Sequence, residues 1–555
     1  EDNHFTTHNL AASDVVNDTP TDNYCVLNPL DISAAFTFSE GNLAAIWSAA
    51  TYCRTRGTIG MSSGKWYFEF MQDGVAQNAS TMIWGVKTSD VALTTGSFGS
   101  GPVLADEWVL TDTGAVANDG AGTADVLSDP ANTDIIQVAV DMDAKKIWFG
   151  VNDTWDGDPA AGTGNRYSNL PDSVSPLIGI AGGTLSGYQR ATKANFGQDP
   201  FFAGGKTSGQ DSSQSEFYYA PPSGFLALST GNLPTPTIAK PAEHFNTISY
   251  AGVSGTTKEV NGLDFTPALV WIKNRTTTGY WNVLFDSLRG GGQLSSNETD
   301  VELVAGSNVA GFVSSYDDDG FTVSRGVTGS SEPDRSTHKT GDNYVAWSWK
   351  AGTSFEAESG VSDSGSKNPT AGFSIATWTG DDVDDSGITQ TIAHGLGVVP
   401  EMIIAKGRTD NNSAGSYWFV YNKDLPSNYY LLLDSDDGGV DAYLDVIENI
   451  TDSSADFGTD SSNLFFNYGG DTTMPTDADT YVAYFFASVD SYSKVGSFSG
   501  SSTAFVYTGF RPSFILAKRS DESSTGNWLM FDDRREGYNV DNDDLMANSS
   551  AVEAT

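Results

Sequence analysis

"DFTPALVWIKNR" (264–275), "GVVPEMIIAKGR" (397–408) and "GFRPSFILAKRS" (509–520) are one phrase written three times. Each copy opens on a proline, runs through five mostly apolar residues, and closes on a lysine with an arginine close behind. Proline suits the first residue of a strand, where its missing N–H does least harm. The run that follows is apolar on both faces, which is the pattern of a strand covered on both sides. The phrase therefore predicts the central strand of a repeated β module.

The repeat extends beyond the phrase. "NYVAWSWKAG" (343–352) matches "TYVAYFFASV" (480–489), with Val345, Trp347 and Trp349 on one face answering Val482, Tyr484 and Phe486. An aromatic-plus-acid segment follows each phrase: "YWNVLFDSLRG", "YWFVYNKDL" and "NWLMFDDRREG". "FSIATWTGDD" (373–382) is matched with "YSKVGSFSG" (492–500). The phrase lysines lie 133 and then 112 residues apart, so the units are whole domains rather than solenoid turns. The third copy reaches Thr555 before any counterpart of the "YVAW" strand, and the expectation is a chain that continues or has been processed; the start on Glu1 reads the same way.

Upstream, "GKWYFEF" places Trp66, Phe68 and Phe70 on one face and Lys65, Tyr67 and Glu69 on the other. "DIIQVAVDMDAKKIWFGVN" reads as a hairpin, with Ile136, Val138 and Val140 returning as Ile147, Phe149 and Val151. Gly41–Ala50 is the one stretch with a helical look. Polar turn clusters punctuate short apolar runs elsewhere, as in all-β proteins. "GGKTSGQDSSQSE" and "GNLPTPTIAKPAE" mark a flexible, then proline-spaced linker.

At 555 residues the chain exceeds one core and predicts roughly three or four domains. The expected order is an extension (1–24), a β-sandwich (25–202), a linker (203–240), repeat 1 (241–352), a second linker (353–370), repeat 2 (371–490) and a partial repeat 3 (491–555). No apolar run reaches the roughly 18–20 residues of a membrane-spanning helix. Twenty-nine Lys and Arg against 71 Asp and Glu leave a formal charge of −42. A field of that sign repels phosphate backbones and anionic bilayers, so neither nucleic acid nor membrane insertion is expected. It fits a solubility adaptation to salty water, or carboxylates that hold divalent cations.

Candidate chemistry is sparse. Cys25 and Cys53 are too few for a disulfide scaffold, and their pairing is left open; the five histidines are scattered. Carboxylate pairs at Asp317–Asp319, Asp381–Asp385 and Asp434–Asp437 meet the separation a glycosidase needs by chance alone in so acidic a chain, so no enzyme is expected. Turn capping accounts for most of them. Ca2+ is the one cofactor weighed. Asp434 and Asp436 in "DSDDGGVDAYLD", and Asp153 and Asp156 in "VNDTWDGDPAAGTGN", offer hard oxygens in glycine-bearing loops, without EF-hand spacing. Trp155, with Asp158 nearby, is the candidate for surface ligand contact, whereas Trp418 and Trp528 precede apolar strands and read as core. Lys273, Arg275, Lys406, Arg408 and Lys518 are assigned to structural ion pairs, with acids such as Asp286 or Asp532 as partners; contact with an acidic subunit or an anionic glycan is the alternative. "GSFGSGP" (96–102) reads as a glycine-rich turn.

Residues 25–202 resemble a SPRY-type (B30.2-related) sandwich through "GKWYFEF", "WGV" (84–86), the hairpin with "NDTW", and "ANFGQDPF" (194–201). That family binds proteins or peptides through its loops and is not catalytic. The continuation, "FYYAPPSGFLAL" (217–228) and the repeats, is similar to virion proteins of tailed phages from aquatic environments. The resemblance implies an all-β chain: a SPRY/concanavalin-like β-sandwich followed by tandem repeated β-sandwich modules. It further implies a non-enzymatic structural and adhesive virion protein, a tail fibre or appendage for host attachment. Its expected partners are a host surface glycan or protein, other virion proteins and further copies of itself, commonly as a trimer. A capsid-decorating or scaffold protein is the runner-up, and a glycan-degrading spike the third reading.

Overall fold

The computed structural model describes residues 17–554 apart from position 20 and the stretches 34–35, 48–52, 75–80, 94–105, 119–120, 124–125, 182–189, 207–215, 305–309, 327–333, 358–363, 381–389, 410–416, 427–428, 439, 442–446, 458–479, 501–504, 522–525 and 536–541. Strands dominate, and among the described residues all their pairings are antiparallel save one. No helix among the described residues is long and apolar enough to cross a membrane. The sequence readings at 96–102 and 381–385 lie outside the described residues.

Two compact units form. The first comprises 1–235 together with 498–509, and the second 236–497 together with 510–555.

The first unit is a sandwich of two sheets. One runs Leu27–Ile32, Cys53–Gly57, Val174–Ala181, Thr81–Thr88, Glu107–Thr111, Val116–Asn118, Ala121–Thr123 in spatial order. The other runs Thr154–Trp155, Lys146–Val151, Ile135–Asp141, Lys65–Gly74, Arg190–Asn195, Ala44–Trp47, Thr37–Ser39. Alternation sets the faces: Trp66, Phe68 and Phe70 enter the inter-sheet core with Trp84, Val86 and Ile178. The hairpin pairs Ile136 with Val151, Val138 with Phe149 and Val140 with Ile147, as its pattern predicts.

The opposite face of that strand is also covered, which corrects the linker reading. Phe217, Phe225 and Ala227 pack on Tyr67, Ala139 and Trp148. Leu226–Ala227 adds a parallel strand beside Trp66–Tyr67. Glu69 anchors the segment, accepting hydrogen bonds from the backbone N–H groups of Tyr218 and Tyr219 at 2.8 Å each. The helix expected at 41–50 is also corrected: Glu40–Asn42 is a tight turn with φ of 52°, 64° and 66°, and Ala44–Trp47 then pairs with Arg190–Lys193. Cys25 and Cys53 are buried free thiols.

The second unit holds all three copies of the phrase. Repeat 1 is a sheet in the order Phe245–Ala251, Asn343–Trp349, Leu269–Asn274, Val283–Asp286, Leu294–Ser295. Repeat 2 follows the same order with Phe373–Thr379, Thr480–Phe486, Met402–Gly407, Trp418–Asn422, Tyr429–Leu432. The phrase strand is central in both, as its pattern predicts, and the "YVA" strand lies beside it. The expected linker 353–370 contributes strands Thr353–Phe355 and Ser364–Asn368 to the second sheet. The strand answering Phe373–Thr379 is Phe245–Ala251, whereas 492–497 forms no strand. Among the described residues, the strands of repeat 3 are Phe514–Ala517, Leu529–Asp532 and Leu545–Met546.

One core joins the three sheets. Trp271, Ile404 and Leu516 occupy equivalent places in the phrase strands and face it together, with Trp347 and Tyr484 from the "YVA" strands and Leu284, Val420 and Met530 from the next. The other faces of the first two phrase strands are closed by small sheets of their own: Thr257–Asn261, Gly320–Ser324, Phe312–Asp317 in repeat 1, and Gln390–Ala393, Ser454–Phe457, Ile447–Glu448 in repeat 2.

Candidate functional site

The repeated lysines lie where the repeats meet. Strand pairing fixes the equivalences: Leu284 opposes Leu294, Val420 opposes Leu431, and Met530 opposes Leu545. Counting on from those partners, Glu298, Ser435 and Ser549 are equivalent. Lys406 of repeat 2 donates to the Glu298 carbonyl of repeat 1 at 3.5 Å. Lys518 of repeat 3 donates to the Ser435 carbonyl of repeat 2 at 3.4 Å, and also to the Gly526 carbonyl. Lys273 of repeat 1 donates to the Ser549 carbonyl of repeat 3 at 2.8 Å. The lysine contacts therefore close a ring: repeat 2 onto 1, 1 onto 3, and 3 onto 2.

A second ring runs beside the first. Trp418 Nε1 donates to the Ser295 carbonyl at 2.8 Å, and Trp528 Nε1 to the Leu432 carbonyl at 2.7 Å. At the third junction the equivalent residue is Asn282, whose Nδ2 donates to the Met546 carbonyl at 3.0 Å. Backbone N–H groups of the same three residues are capped within each repeat by Asn297, Asp434 and Asn548 Oδ1. Trp418 and Trp528 are 0% and 3% exposed, so they are core as their sequence context predicts.

The arginines make ion pairs across the same junctions. Arg408 meets Glu302 at 2.5 Å and Arg275 meets Glu553 at 2.7 Å. Behind each acid lies a buried pair from the aromatic-plus-acid segment, Arg289 with Asp286 and Arg535 with Asp532. At the third junction the corresponding positions are Ser520, Gly439, Asn422 and Leu425, so the whole charge chain is replaced together. The expected partners of the phrase cations are thus corrected: Asp286 and Asp532 are taken by local arginines, and the lysines meet backbone carbonyls. Asp286 and Asp532 also accept from the "YVA" strands, from Tyr484 Oη at 2.9 Å and Trp347 Nε1 at 3.1 Å.

Burial shapes the electrostatics of these groups. It pushes the Lys273 ammonium down to about 7, with the Arg535 guanidinium acting in the same direction. It pushes Lys406 and Lys518 down to about 8, against opposing pulls from Asp434 and from Asp436 with Asp437. Burial raises Asp434 to about 6, opposed by Lys406. Its equivalents Asn297 and Asn548 are neutral amides, so the place calls for an oxygen that accepts a backbone N–H. Asp436 is exposed, and its carbonyl accepts from the Gly526 N–H at 2.6 Å.

In the first unit, Asp156 turns inward rather than toward an open loop. Its Oδ1 accepts from the Phe149 N–H at 3.0 Å, Arg166 lies 3.7 Å away, and burial lifts its pKa to about 6. Asp153 is exposed, and Asp158 caps its own turn through the Ala161 N–H at 2.9 Å. Among the described residues no three His, Cys, Asp or Glu side chains converge on a metal position. Trp155 is half-buried, lying over Gly150 with its ring 6.2 Å from that of Tyr67. The acids at 317–319 hold their own hairpin and the turn beside it: Asp317 accepts from the Thr322 hydroxyl and Asp319 from the Asp264 N–H, each at 2.8 Å.

Sequence reading missed Asn282, Glu302, Glu553 and the acceptor segment. Its signal is a weak fourth repeated phrase, "LSSNE" (294–298), "LLDS" within 431–435 and "LMANS" (545–549), in which only one leucine and one Asn or Asp recur.

The chain belongs to the DUF7483 family, a domain of unknown function, whose pattern matches residues 240–555, more than half of its length. No curated protein matches it. Among solved structures it is similar to the SPRY domain of human HERC1, at 18% identity and a TM-score of 0.24, covering 30% of this chain and 96% of that one. It is also similar to the TRIM65 PSpry domain, at 12% identity and a TM-score of 0.21, covering 31% and 91%. The stonustoxin structure shares 19% identity at a TM-score of 0.23, covering 31% of this chain and 27% of that one. The all-β assignment rests on the sheet topology above.

Proposed function

We propose that this protein is a non-enzymatic structural and adhesive component of a tailed-phage virion, a tail fibre or comparable appendage that contacts the host surface. The observation that carries this reading is the ring of contacts between repeats. The residues that recur in every copy are used to hold the copies together, which is architecture rather than chemistry. The loops between the phrases differ from copy to copy, and they are the places left for recognition. Several such loops on one compact unit suit weak, multivalent adhesion. The sequence resemblance to aquatic phage proteins and the strongly acidic composition point the same way.

The test is immunogold electron microscopy on intact particles that carry the protein, with adsorption of the labelled protein to susceptible cells. Label on the tail, together with saturable adsorption that competes with infection, is the expected result. Label confined to the capsid, with no adsorption, overturns the tail-fibre reading in favour of a decorating protein. Release of oligosaccharide from host surface polymer would overturn the non-enzymatic part.

A further inference from the structure

Arginines in this chain are commonly paired with acids: Arg54, Arg56, Arg289, Arg408 and Arg535 each meet a carboxylate at 2.5–2.7 Å. Arg335 of repeat 1 departs from that habit. It is half-buried, its guanidinium has no ion pair or hydrogen bond among the described residues, and its Nε is shut away from water without an acceptor. Two aromatic rings hold it instead, with the guanidinium carbon 5.0 Å from the centroid of Trp281 and 5.9 Å from that of Tyr280. Ring faces attract a cation, yet they give its N–H groups no oxygen, and a buried donor left unmade is costly. Acids are not scarce, with 71 Asp and Glu against 29 Lys and Arg. The gap belongs to the place and not to the composition.

The place is held firmly. Asn274 pairs with Tyr344, which sets the turn 275–282 beside the stretch 334–342. Asp342 ties the two, accepting from Asn274 Nδ2 at 2.9 Å and from the Thr277 hydroxyl at 2.8 Å. Tyr344 Oη donates to the Arg335 carbonyl at 3.0 Å and accepts from the Lys339 N–H at 2.9 Å. Lys339 is a second cation here, its ammonium donating to Tyr280 Oη. Arg325 lies 3.6 Å from Asp334, and Lys258 lies 5.8 Å from the centroid of Tyr250. Burial lowers the pKa of His338, and Arg325 and Lys258 act in the same direction against Asp334, so these two cations belong to the same end of the repeat. The acids nearby have partners of their own, Glu298 taking the Trp281 indole N–H and Asn297 Nδ2. The aromatic pair is particular to repeat 1: its places hold Ser416 and Tyr417 in repeat 2, and Gly526 and Asn527 in repeat 3. A residue that joins modules recurs in every copy, whereas one that recognises a ligand need not.

We propose that this end of repeat 1 binds a saccharide through a carboxylate or sulfate group, with Arg335 as the principal contact and Lys339 beside it. The planar guanidinium meets two oxygens of such a group at once, which an ammonium does not. Arg325 and Lys258 make this end locally positive. The chain's formal charge of −42 repels a densely charged polymer at long range, so the fitting ligand spaces its anionic groups with neutral sugars. The oxyanion site stands on the geometry alone, and the choice of a saccharide rests on the adhesive reading above.

The probes are plain dextran, lightly carboxymethylated dextran and lightly sulfated dextran, with polyglutamate as an acidic polypeptide. Each is titrated into the full chain by calorimetry in about 0.15 M salt, where charges beyond about 8 Å are screened. Saturable binding of a charged dextran and none of the plain one is expected, with slowed amide exchange at 335–339 in the unaltered chain. Arg335→Gln is expected to weaken binding about tenfold or more, and Arg335→Lys, which keeps the charge but loses the fork, about threefold or more. Lys423→Gln removes the same charge from repeat 2 and is expected to change nothing. Absence of binding overturns the proposal, as does binding that both Arg335 variants leave intact or that slows exchange only elsewhere. Equal binding of polyglutamate overturns the saccharide in favour of an acidic polypeptide. Arg335-dependent binding by a chain that fails to adsorb to host cells refutes the adhesive reading and leaves the site standing.

Discussion

Replacing Lys273 by Met separates a structural lysine from one that serves a ligand or a buried ion pair. Lys273 is 1% exposed, and its ammonium meets Asn282 Oδ1 and the Ser549 carbonyl at 2.8 Å each. Its folded pKa is about 7 against an ordinary 10.5, so between those values the unfolded chain binds the extra proton. Stability from this group therefore rises with pH across that window, and below pH 7 the folded state carries the full cost of a buried charge. A depression of that size corresponds to about 5 kcal/mol. Methionine removes the charge at nearly constant shape. The Ser549 carbonyl keeps the Asn282 Nδ2 donor at 3.0 Å, while Asn282 Oδ1 loses its partner. That loss costs about 1–3 kcal/mol. The net expectation at pH 6 is a gain of about 2–4 kcal/mol for Lys273→Met, turning into a loss of about 1–3 kcal/mol above pH 10.5. Urea unfolding followed by tryptophan fluorescence from pH 6 to 10.5 measures the difference. A difference flat with pH would refute the reasoning. So would a destabilisation of about 3–5 kcal/mol at pH 6, the signature of breaking a buried ion pair.

Three further expectations follow from the same geometry. Trp418→Phe keeps the ring but removes the indole donor from the Ser295 carbonyl, which retains the Glu298 N–H at 3.3 Å, and should cost about 0.5–1.5 kcal/mol in denaturant unfolding, against about 3–5 kcal/mol for Trp418→Ala. A double-mutant cycle on Arg275 and Glu553 should give a coupling of about 0.5–3 kcal/mol, with no coupling between Arg275 and Glu302, which serves another junction. Both thiols are buried, and burial pushes Cys25 up to about 12, so Ellman's reagent should label neither in the native protein and both in denaturant.

Much of the architecture was legible because strand periodicity is local. Alternation in "GKWYFEF" and the hairpin "DIIQVAV…KIWFGV" settled faces and register, since a one-residue slip would turn every apolar side chain to the other side. The phrase predicted a central strand because apolar residues on both faces need cover on both faces. Segments 217–228 and 353–368 read as linkers because their Gly, Ser and Pro content is common to loops and to short edge strands. Only the sheet they join distinguishes the two.

What the sequence by itself determined was an acidic, all-β chain in which one module recurs three times, since composition and periodicity are properties of the chain. Only the tertiary structure decided what the recurring cations do. Lys273 and Ser549 lie far apart along the chain, as do Lys406 and Glu298, and nothing local pairs them. Packing three copies around one core brings each lysine to its neighbour's carbonyl, and Arg408 and Arg275 to their neighbours' Glu302 and Glu553.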